Sequence, residues 1–218
     1  MRLWVMNLFS QLAAEPTHEE LFPGAVLMRG LALPEDAEFF AAVETIMAAA
    51  PLHHATTPSG LPMSVMVTDC GTEHAFARRW DPANPEKPHR ARMWPPIPRL
   101  LHDFSLRCAV RAGFPQFQPD MCHINRYQAG TKLGLHQDRH EFDISQPIVS
   151  ISLGLECIFL LGGLQRTDKT KRILLEHGDV IVWGGPSRMR FHGVLPLKPG
   201  HHPITGPYRY NFTFRKIA

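Results

Sequence analysis

Two short stretches of this chain carry side chains whose types and spacing suit chemistry. The first, Tyr208 to Lys216, reads Tyr-Arg-Tyr-Asn-Phe-Thr-Phe-Arg-Lys. Successive side chains of a strand point to opposite faces. One face then carries Tyr208, Tyr210, Phe212 and Phe214, and the other carries Arg209, Asn211, Thr213 and Arg215. If only the aromatic face is buried, the polar face is simply wet. If both are enclosed, as inside a small barrel, two guanidiniums need anionic partners, and their planar donor forks suit two carboxylates. The pattern points to a small dicarboxylic acid.

The second stretch is His136-Gln137-Asp138, at the end of the alternating run Lys132 to Asp138. On a strand, positions i and i+2 share a face, so imidazole and carboxylate converge on one point. A His-x-Asp triplet is weak as a signal in a chain with 13 histidines, and His177-Gly178-Asp179 is a second one. There the residues flank a glycine in an expected hairpin turn, so that pair is read as turn chemistry. His192, in the strand-like run Arg188 to Val194, is the best third ligand. Two histidines and one carboxylate form the facial set that holds non-haem Fe(II) and leaves three coordination positions open. Two of these suit the 2-oxo acid group of 2-oxoglutarate, and the third suits O2. One arginine would then grip the distal carboxylate, and the other would sit near the keto-acid end and the Asp ligand.

The elements that must position these residues follow from patterning. Pro34-Glu35-Asp36 opens a helix, in which Phe39, Phe40, Val43, Ile46 and Met47 recur at helical spacing before Pro51. A second helix is predicted over 97–112, with Ile97, Leu100, Leu101, Phe104 and Cys108 on one side and Gly113 as its stop. Residues 53–96 contain a strand, Met63 to Cys70, but are otherwise rich in Pro, Arg, His and Trp, as expected of a lid. From Met121 onward the texture is β. Runs 121–127, 132–138, 147–155, 157–161, 171–176, 179–184, 188–195 and 208–216 are separated by turn signals. Short strands without intervening helices suggest a jelly roll or closed barrel.

Composition bounds the rest. The 218 residues, 44% hydrophobic, suit one good-sized globular core. No apolar run approaches the roughly 18 residues of a membrane span. Met1 to Glu15 lacks the apolar centre of a secretory signal, so the chain is expected to be cytoplasmic, and nothing calls for an assembly beyond a monomer. Cys70, Cys108, Cys122 and Cys157 have no pair spacing and are expected to be reduced and buried. A net charge of +3 does not imply nucleic acid. Basic patches at 74–99 (Arg78, Arg79, Lys87, Arg90, Arg92, Arg99) and 166–172 (Arg166, Lys169, Lys171, Arg172) could line a phosphate backbone or be solvated surface.

Several ordered motifs give the chain a resemblance to the AlkB family of Fe(II)- and 2-oxoglutarate-dependent nucleic-acid dealkylases, from about Phe22 to Lys216. They include Ile124-Asn125-Arg126-Tyr127, Leu135-His136-Gln137-Asp138, Pro147 to Gly154, Gly162-Gly163-Leu164, Leu175 to Val180 and Trp183-Gly184-Gly185. The ending Arg209-x-Asn211-x-Thr213-Phe214-Arg215 is the most family-specific. The resemblance implies His136, Asp138 and His192 as iron ligands, and Asn125, Tyr127, Arg209, Asn211 and Arg215 as 2-oxoglutarate contacts. It implies a mainly β (α+β) fold: a double-stranded β-helix core over about 119–216, N-terminal helices and a nucleotide-recognition lid over about 53–96, all in one domain, 1–218. The implied reaction couples decarboxylation of 2-oxoglutarate to succinate with oxidation of an N-methyl group that leaves as formaldehyde. The implied substrates are 1-methyladenine and 3-methylcytosine in single-stranded or flipped-base DNA, with RNA as the alternative. These lesions are cationic, which favours aromatic walls and carboxylates around them.

The sequence departs from the family at the substrate end. Bacterial members carry an acidic residue two positions after the Asp ligand, where this chain has His140; Glu141 follows and could keep negative charge there. Phe76 and Trp80 are the candidate stacking residues, and Leu61 stands where a tyrosine is expected. Trp183 is a candidate wall residue and Arg166 a candidate phosphate contact. The alternatives are an oxygenase of the same mechanism acting on protein or a small metabolite, and a non-redox or zinc barrel. The latter does not account for Arg209 and Arg215 on one strand face.

Overall fold

The computed structural model describes residues 17–56, 60, 62–72, 94–139, 141 and 143–218. In chain order its strands are β1 (His18–Phe22), β2 (Ala25–Met28), β3 (His53–Thr56), β4 (Pro62–Gly71), β5 (Met121–Tyr127), β6 (Leu133–His136), β7 (Ile148–Gly154), β8 (Cys157–Leu161), β9 (Lys171–Leu175), β10 (Val180–Trp183), β11 (His192–Val194) and β12 (Arg209–Arg215). Helix α1 (Asp36–Ala49) precedes β3, and helix α2 (Arg99–Arg111) precedes β5.

The strands form a larger sheet, ordered β1-β2-β10-β7-β12-β5-β4-β3, and a smaller one, ordered β6-β11-β8-β9. From β5 onward the chain repeatedly crosses between the two, which is the winding of a double-stranded β-helix. The described pairings are antiparallel.

Each face of the larger sheet has its own apolar cluster. Beneath the helices, Tyr210, Phe212 and Phe214 of β12 and Cys122 and Ile124 of β5 pack with Phe39, Val43 and Ile46 of α1 and Leu101, Phe104 and Cys108 of α2. Between the sheets, Val65, Val67, Ile148 and Ile181 pack with Phe159, Leu161, Ile173 and Val194. Both faces of β12 are therefore covered, the aromatic face by the helices and the arginine face by the smaller sheet, where Arg209 is 1% exposed and the Arg215 side chain 19%.

The helices follow their apolar spacing closely. Gly113 adopts φ +87, a left-handed conformation suited to a residue without Cβ, and closes α2. Leu100, expected on the buried stripe, is instead 37% exposed, because Leu101, Phe104 and Cys108 fill the contact. Strands β1 and β2 were not expected, and β3 falls within the stretch read as a lid. His53–Thr56 has little apolar alternation and is extended because β4 supplies its partner. The runs expected at 132–138 and 188–195 shrink to Leu133–His136 and His192–Val194, since a 3-10 turn at Gly185–Ser187 and an inward-turned Arg188 interrupt the second. Most of the expected lid, including Leu61, Phe76, Trp80 and the basic residues at 78–92, lies outside the described residues, as do the first 16 residues and His140. Among the described residues no helix is long and apolar enough to cross a membrane.

All four cysteines are buried and unpaired. Burial pushes the Cys108 thiol up to about 12, and burial first, then the neighbouring Cys70, holds Cys122 well above the ordinary thiol range. Since the thiolate is the reactive form, a thiol reagent at about pH 8 should label essentially none of the four cysteines in the native protein and all four after denaturation. Rapid labelling of the native chain would contradict the packing described.

Candidate active site

His136 closes β6 and His192 opens β11, and the two are directly paired across the smaller sheet. Gly193 permits this approach: a Cβ there would stand 2.7 Å from the Leu133 carbonyl oxygen. Asp138 follows His136 just beyond the strand end, where the chain leaves the ladder. The candidate ligand atoms of His136, Asp138 and His192 lie within 4.8 Å of one another. Each histidine Nε2 is close to a separate Asp138 oxygen, 3.6 Å for His136 and 3.5 Å for His192. His136, Asp138 and His192 are thus near enough to one another to hold a single cation among them.

The protonation pattern suits a metal. His136 Nδ1 is 2.9 Å from the Gly134 carbonyl, and His192 Nδ1 is 3.1 Å from the Arg190 carbonyl. A carbonyl only accepts, so each ring donates through Nδ1 and presents the Nε2 lone pair to the cluster. Burial, reinforced by the nearby His192, brings His136 down to about 4, so it is neutral at physiological pH. Burial alone would raise Asp138. The Arg215 guanidinium and the His192 ring outweigh that and hold its carboxyl well below the usual carboxylate range. Two imidazoles and one carboxylate are a donor set for non-haem Fe(II).

The pocket beside this cluster is walled by the polar face of β12. Arg209, Asn211, Thr213 and Arg215 line it, together with Asn125, Tyr127 and Ser150. Arg209 is 1% exposed. Its Nη2 donates to Ser152 Oγ at 3.0 Å, and its guanidinium lies over the Tyr127 ring. Arg209 Nε and Nη1, and Arg215 Nε, are buried N–H groups without protein acceptors. Buried donors of this kind are nearly always paired, so a carboxylate ligand fits where they point. Asn211 is different: its amide donates to Ser150 Oγ and the Ile151 carbonyl and accepts from Thr213, so it braces the wall. Ser150 and Ser152 were overlooked in the sequence. Their signal was the alternation in β7, which places Val149, Ile151 and Leu153 in the helix-side cluster and the serines opposite.

A closed chain of charges joins the two halves of the site. Arg215 Nη2 meets Asp138 Oδ2 at 2.8 Å, and its Nη1 donates to Glu141 Oε1 at 3.1 Å. Glu141 Oε2 meets Arg188 Nη2 at 3.1 Å, and Arg188 Nη1 donates at 2.5 Å to the Asp138 backbone carbonyl. The Glu141 and Arg188 side chains are 2% and 3% exposed. Glu141, expected to face a base, is thus turned inward, and two arginines take up its charge. Arg188 was missed because nothing in its local sequence signals such a partner.

The remaining candidates are dispersed. Trp183 packs edge-on to His192 with ring centroids 5.1 Å apart and is buried on the pocket wall, with no face open to solvent for stacking. Arg166 is exposed on the loop after β8, its guanidinium over Phe191. His177 and Asp179 serve the turn as expected. Asp179 accepts from Arg29 and the Gly30 amide, and His177 accepts from the Gly154 amide.

Breaking the charge ring should be costly. Arg188→Met leaves the buried Glu141 carboxylate with Arg215 alone and should lower unfolding free energy by up to about 3–5 kcal/mol, with partial recovery in Arg188→Met/Glu141→Gln, read from urea midpoints. Loss of the Asp138 carbonyl brace should also weaken ferrous binding by about 10- to 100-fold, measurable by anaerobic titration.

Sequence comparison agrees with this geometry. Residues 24–215 match the 2OG-Fe(II) oxygenase superfamily. The chain is 46% identical over 220 residues to the alpha-ketoglutarate-dependent dioxygenase AlkB of Escherichia coli strain K12, covering 98% of this chain and 99% of that protein. It is 37% identical over 124 residues to the nucleic acid dioxygenase ALKBH1 of Mus musculus, covering 57% of this chain and 30% of that protein. The solved structure of OsALKBH1 superposes with a TM-score of 0.76 at 28% identity, covering 92% of this chain and all of that one (100%). With a facial His/Asp/His cluster beside a pocket lined by unpaired arginine donors, the chain belongs to the AlkB family of the 2OG-Fe(II) oxygenase superfamily, and it is an Fe(II)- and 2-oxoglutarate-dependent dioxygenase.

Proposed function

We propose that this enzyme repairs N-alkylated nucleobases such as 1-methyladenine and 3-methylcytosine, in DNA that is single-stranded or has the damaged base flipped out. RNA is the alternative polymer. The observation that carries this reading is the buried Arg209, with unpaired guanidinium donors aimed into a pocket that ends at His136, Asp138 and His192. The nucleic-acid part rests on the relatives, named as AlkB and as a nucleic acid dioxygenase.

Bound ferrous iron, with 2-oxoglutarate and O2, supplies the oxidising power that hydroxylates an N-alkyl carbon, yielding succinate, CO2 and, from a methyl group, formaldehyde. The chain's own residues set where this happens. His136, Asp138 and His192 are the proposed ligands. Arg209, deepest in the pocket, would clamp the distal carboxylate of 2-oxoglutarate, with Tyr127 beneath its guanidinium. Arg215 spans Asp138 and the keto-acid end. Asn125 and Asn211 stand side by side in the paired strands β5 and β12 and would shape the wall between these two grips. The low dielectric of the closed pocket strengthens each of these contacts. These groups come from both sheets of one copy of the chain, so we read it as a single dioxygenase domain acting as a monomer.

At the rim, Arg166 and the exposed Lys169 and Arg172 are read as contacts to the phosphate backbone, which position the strand without reading its sequence. Phe76, Trp80 and His140 are proposed as base-contacting residues.

Formaldehyde should be released from oligonucleotides carrying 1-methyladenine or 3-methylcytosine, in amounts matched by succinate and dependent on added Fe(II) and 2-oxoglutarate. Release from no methylated DNA, RNA or nucleotide would refute the assignment. Arg209→Ala should raise KM for 2-oxoglutarate at least about thirtyfold, the scale expected when one partner of a buried charge pair is truncated.

A further inference from the structure

The inner face of the larger sheet holds a carboxylate–imidazole pair that the metal and 2-oxoglutarate chemistry leaves unused. Cys122 and Ile124 of β5 pack under the helices, so His123 shares the opposite face with Asn125 and Tyr127. The strand register sets Asp69 of β4 opposite His123, and His123 opposite Thr213 of β12. Asn125 and Thr213 both line the pocket. Directly opposed residues stand about 5 Å apart, which puts His123 at the pocket's edge. Two residues further along β12, on the same face, Arg215 stands opposite Met121.

Asp69 Oδ1 lies 2.5 Å from His123 Nδ1, and the side chains are 8% and 25% exposed, respectively. A carboxylate at that distance fixes the hydrogen on Nδ1. The remaining polar atom of the ring, Nε2, is then an acceptor in the neutral imidazole. Among the described residues, no hydrogen bond engages it.

The charge distribution indicates what such an acceptor would receive. Four carboxylates are buried among the described residues: Asp69, Asp138, Glu141 and Asp179. Arginines pair with Asp138, Glu141 and Asp179. Asp69 meets an imidazole instead, so its charge is not cancelled by a guanidinium. In the pocket wall Arg209 has no carboxylate of the chain beside it among the described residues, and Arg215 is already paired with Asp138 and Glu141. A positively charged ligand entering there needs a compensating negative group, and with Glu141 committed to Arg188 and Arg215, Asp69 is the buried candidate.

We propose that His123, oriented by Asp69, contacts the substrate at the pocket mouth, accepting through Nε2 a hydrogen bond from the exocyclic amino group of a cationic N-alkylated base. The contact rests on the dealkylase reading above and adds to it a source of selectivity. A lesion carrying both positive charge and an amino donor gains from the pair. A neutral lesion without that donor gains nothing and leaves the acceptor unpaired. Asp69 is a positioning residue that also supplies the charge.

The experiment compares oligonucleotides bearing 3-methylcytosine, which is cationic and has an amino group, with those bearing 3-methylthymine, which is neutral and has no donor on that edge. The quantity read is the ratio of kcat/KM for the two. In His123→Leu the ratio should fall by about tenfold or more, the scale of a hydrogen bond to a charged group. His123→Gln, which retains an acceptor, should keep most of it. Asp69→Asn keeps the ring's hydrogen-bond partner and removes only the charge, so it should lower the ratio in the same direction. The ratio of affinities for the two oligonucleotides, measured anaerobically in the iron and 2-oxoglutarate complex, should move likewise without turnover. General damage to the fold would lower both activities together and leave the ratio in place, and an unchanged ratio in both His123→Leu and Asp69→Asn overturns the contact. Wild-type protein inactive on either oligonucleotide and on 1-methyladenine would overturn the dealkylase reading itself.

Discussion

The contact on which this architecture depends is the one between Asp138 and Arg215. Asp138 belongs to the histidine cluster on the smaller sheet, and Arg215 closes the polar face of β12 on the larger. Their contact at 2.8 Å ties the two sheets together at the point where metal and co-substrate must meet. A buried carboxylate without such a partner would tend to take up a proton and cease to be a useful ligand. With it, Asp138 is ionised before any metal arrives. Removing two charges from water is costly, and such pairs persist when every remaining donor and acceptor is engaged. Glu141 and Arg188 go part of the way, by occupying the second Nη of Arg215 and bracing the Asp138 carbonyl, and Arg215 Nε is left for a ligand.

The same strand shows why the helices belong to the active site although they contribute no ligand. Tyr210, Phe212 and Phe214 need an apolar partner, and α1 and α2 provide it through Phe39 and Phe104, whose rings meet edge to face at 4.7 Å. Burying each such ring is worth roughly 1.5–3 kcal/mol. That anchorage holds β12 at the centre of its sheet, between β7 and β5, and keeps Arg209 away from solvent. An arginine in water would bind a carboxylate weakly. An arginine with a fixed position, unpaired N–H groups and little water around it is already organised for one, and the cost of organising it is met during folding.

Much of this could be read from the chain, for identifiable reasons. Strict alternation from Tyr208 to Phe214 marks a two-faced strand, and both of its faces are used as the alternation implies. The spacing of His136 and Asp138 marks convergence, and His192 was placed in a late strand that does pair with β6. Helix stripes and Gly113 were equally legible. What escaped was set by distant partners. β1, β2 and β3 are extended because β10 and β4 offer edges, not because their own residues alternate. Arg188 stood only as the start of a strand-like run, and Glu141 as a substrate contact, whereas the two neutralise each other. Leu100 had the right period for the buried face of α2 but sits at its margin. The pairing of Asp69 with His123 joins residues 54 positions apart and has no local sequence signature.

One further link connects the rim to the chemistry. Gln137, the residue between two candidate ligands, donates from Nε2 to the Met189 carbonyl at 2.6 Å and to the Leu164 carbonyl at 3.4 Å. The first loop leads from the 3-10 turn into His192. The second runs from β8 toward Arg166. A single amide thus ties both loops to the end of β6. The reacting groups lie on paired strands whose positions the two apolar clusters fix, and the surface that would meet a polymer lies on loops secured by side-chain hydrogen bonds. Loops held in this way accept substitution more readily than strands buried on both faces. Selectivity can therefore change at the rim, or at a pocket-edge position such as His123, while Asp138, Arg215 and the ring that joins them stay in place.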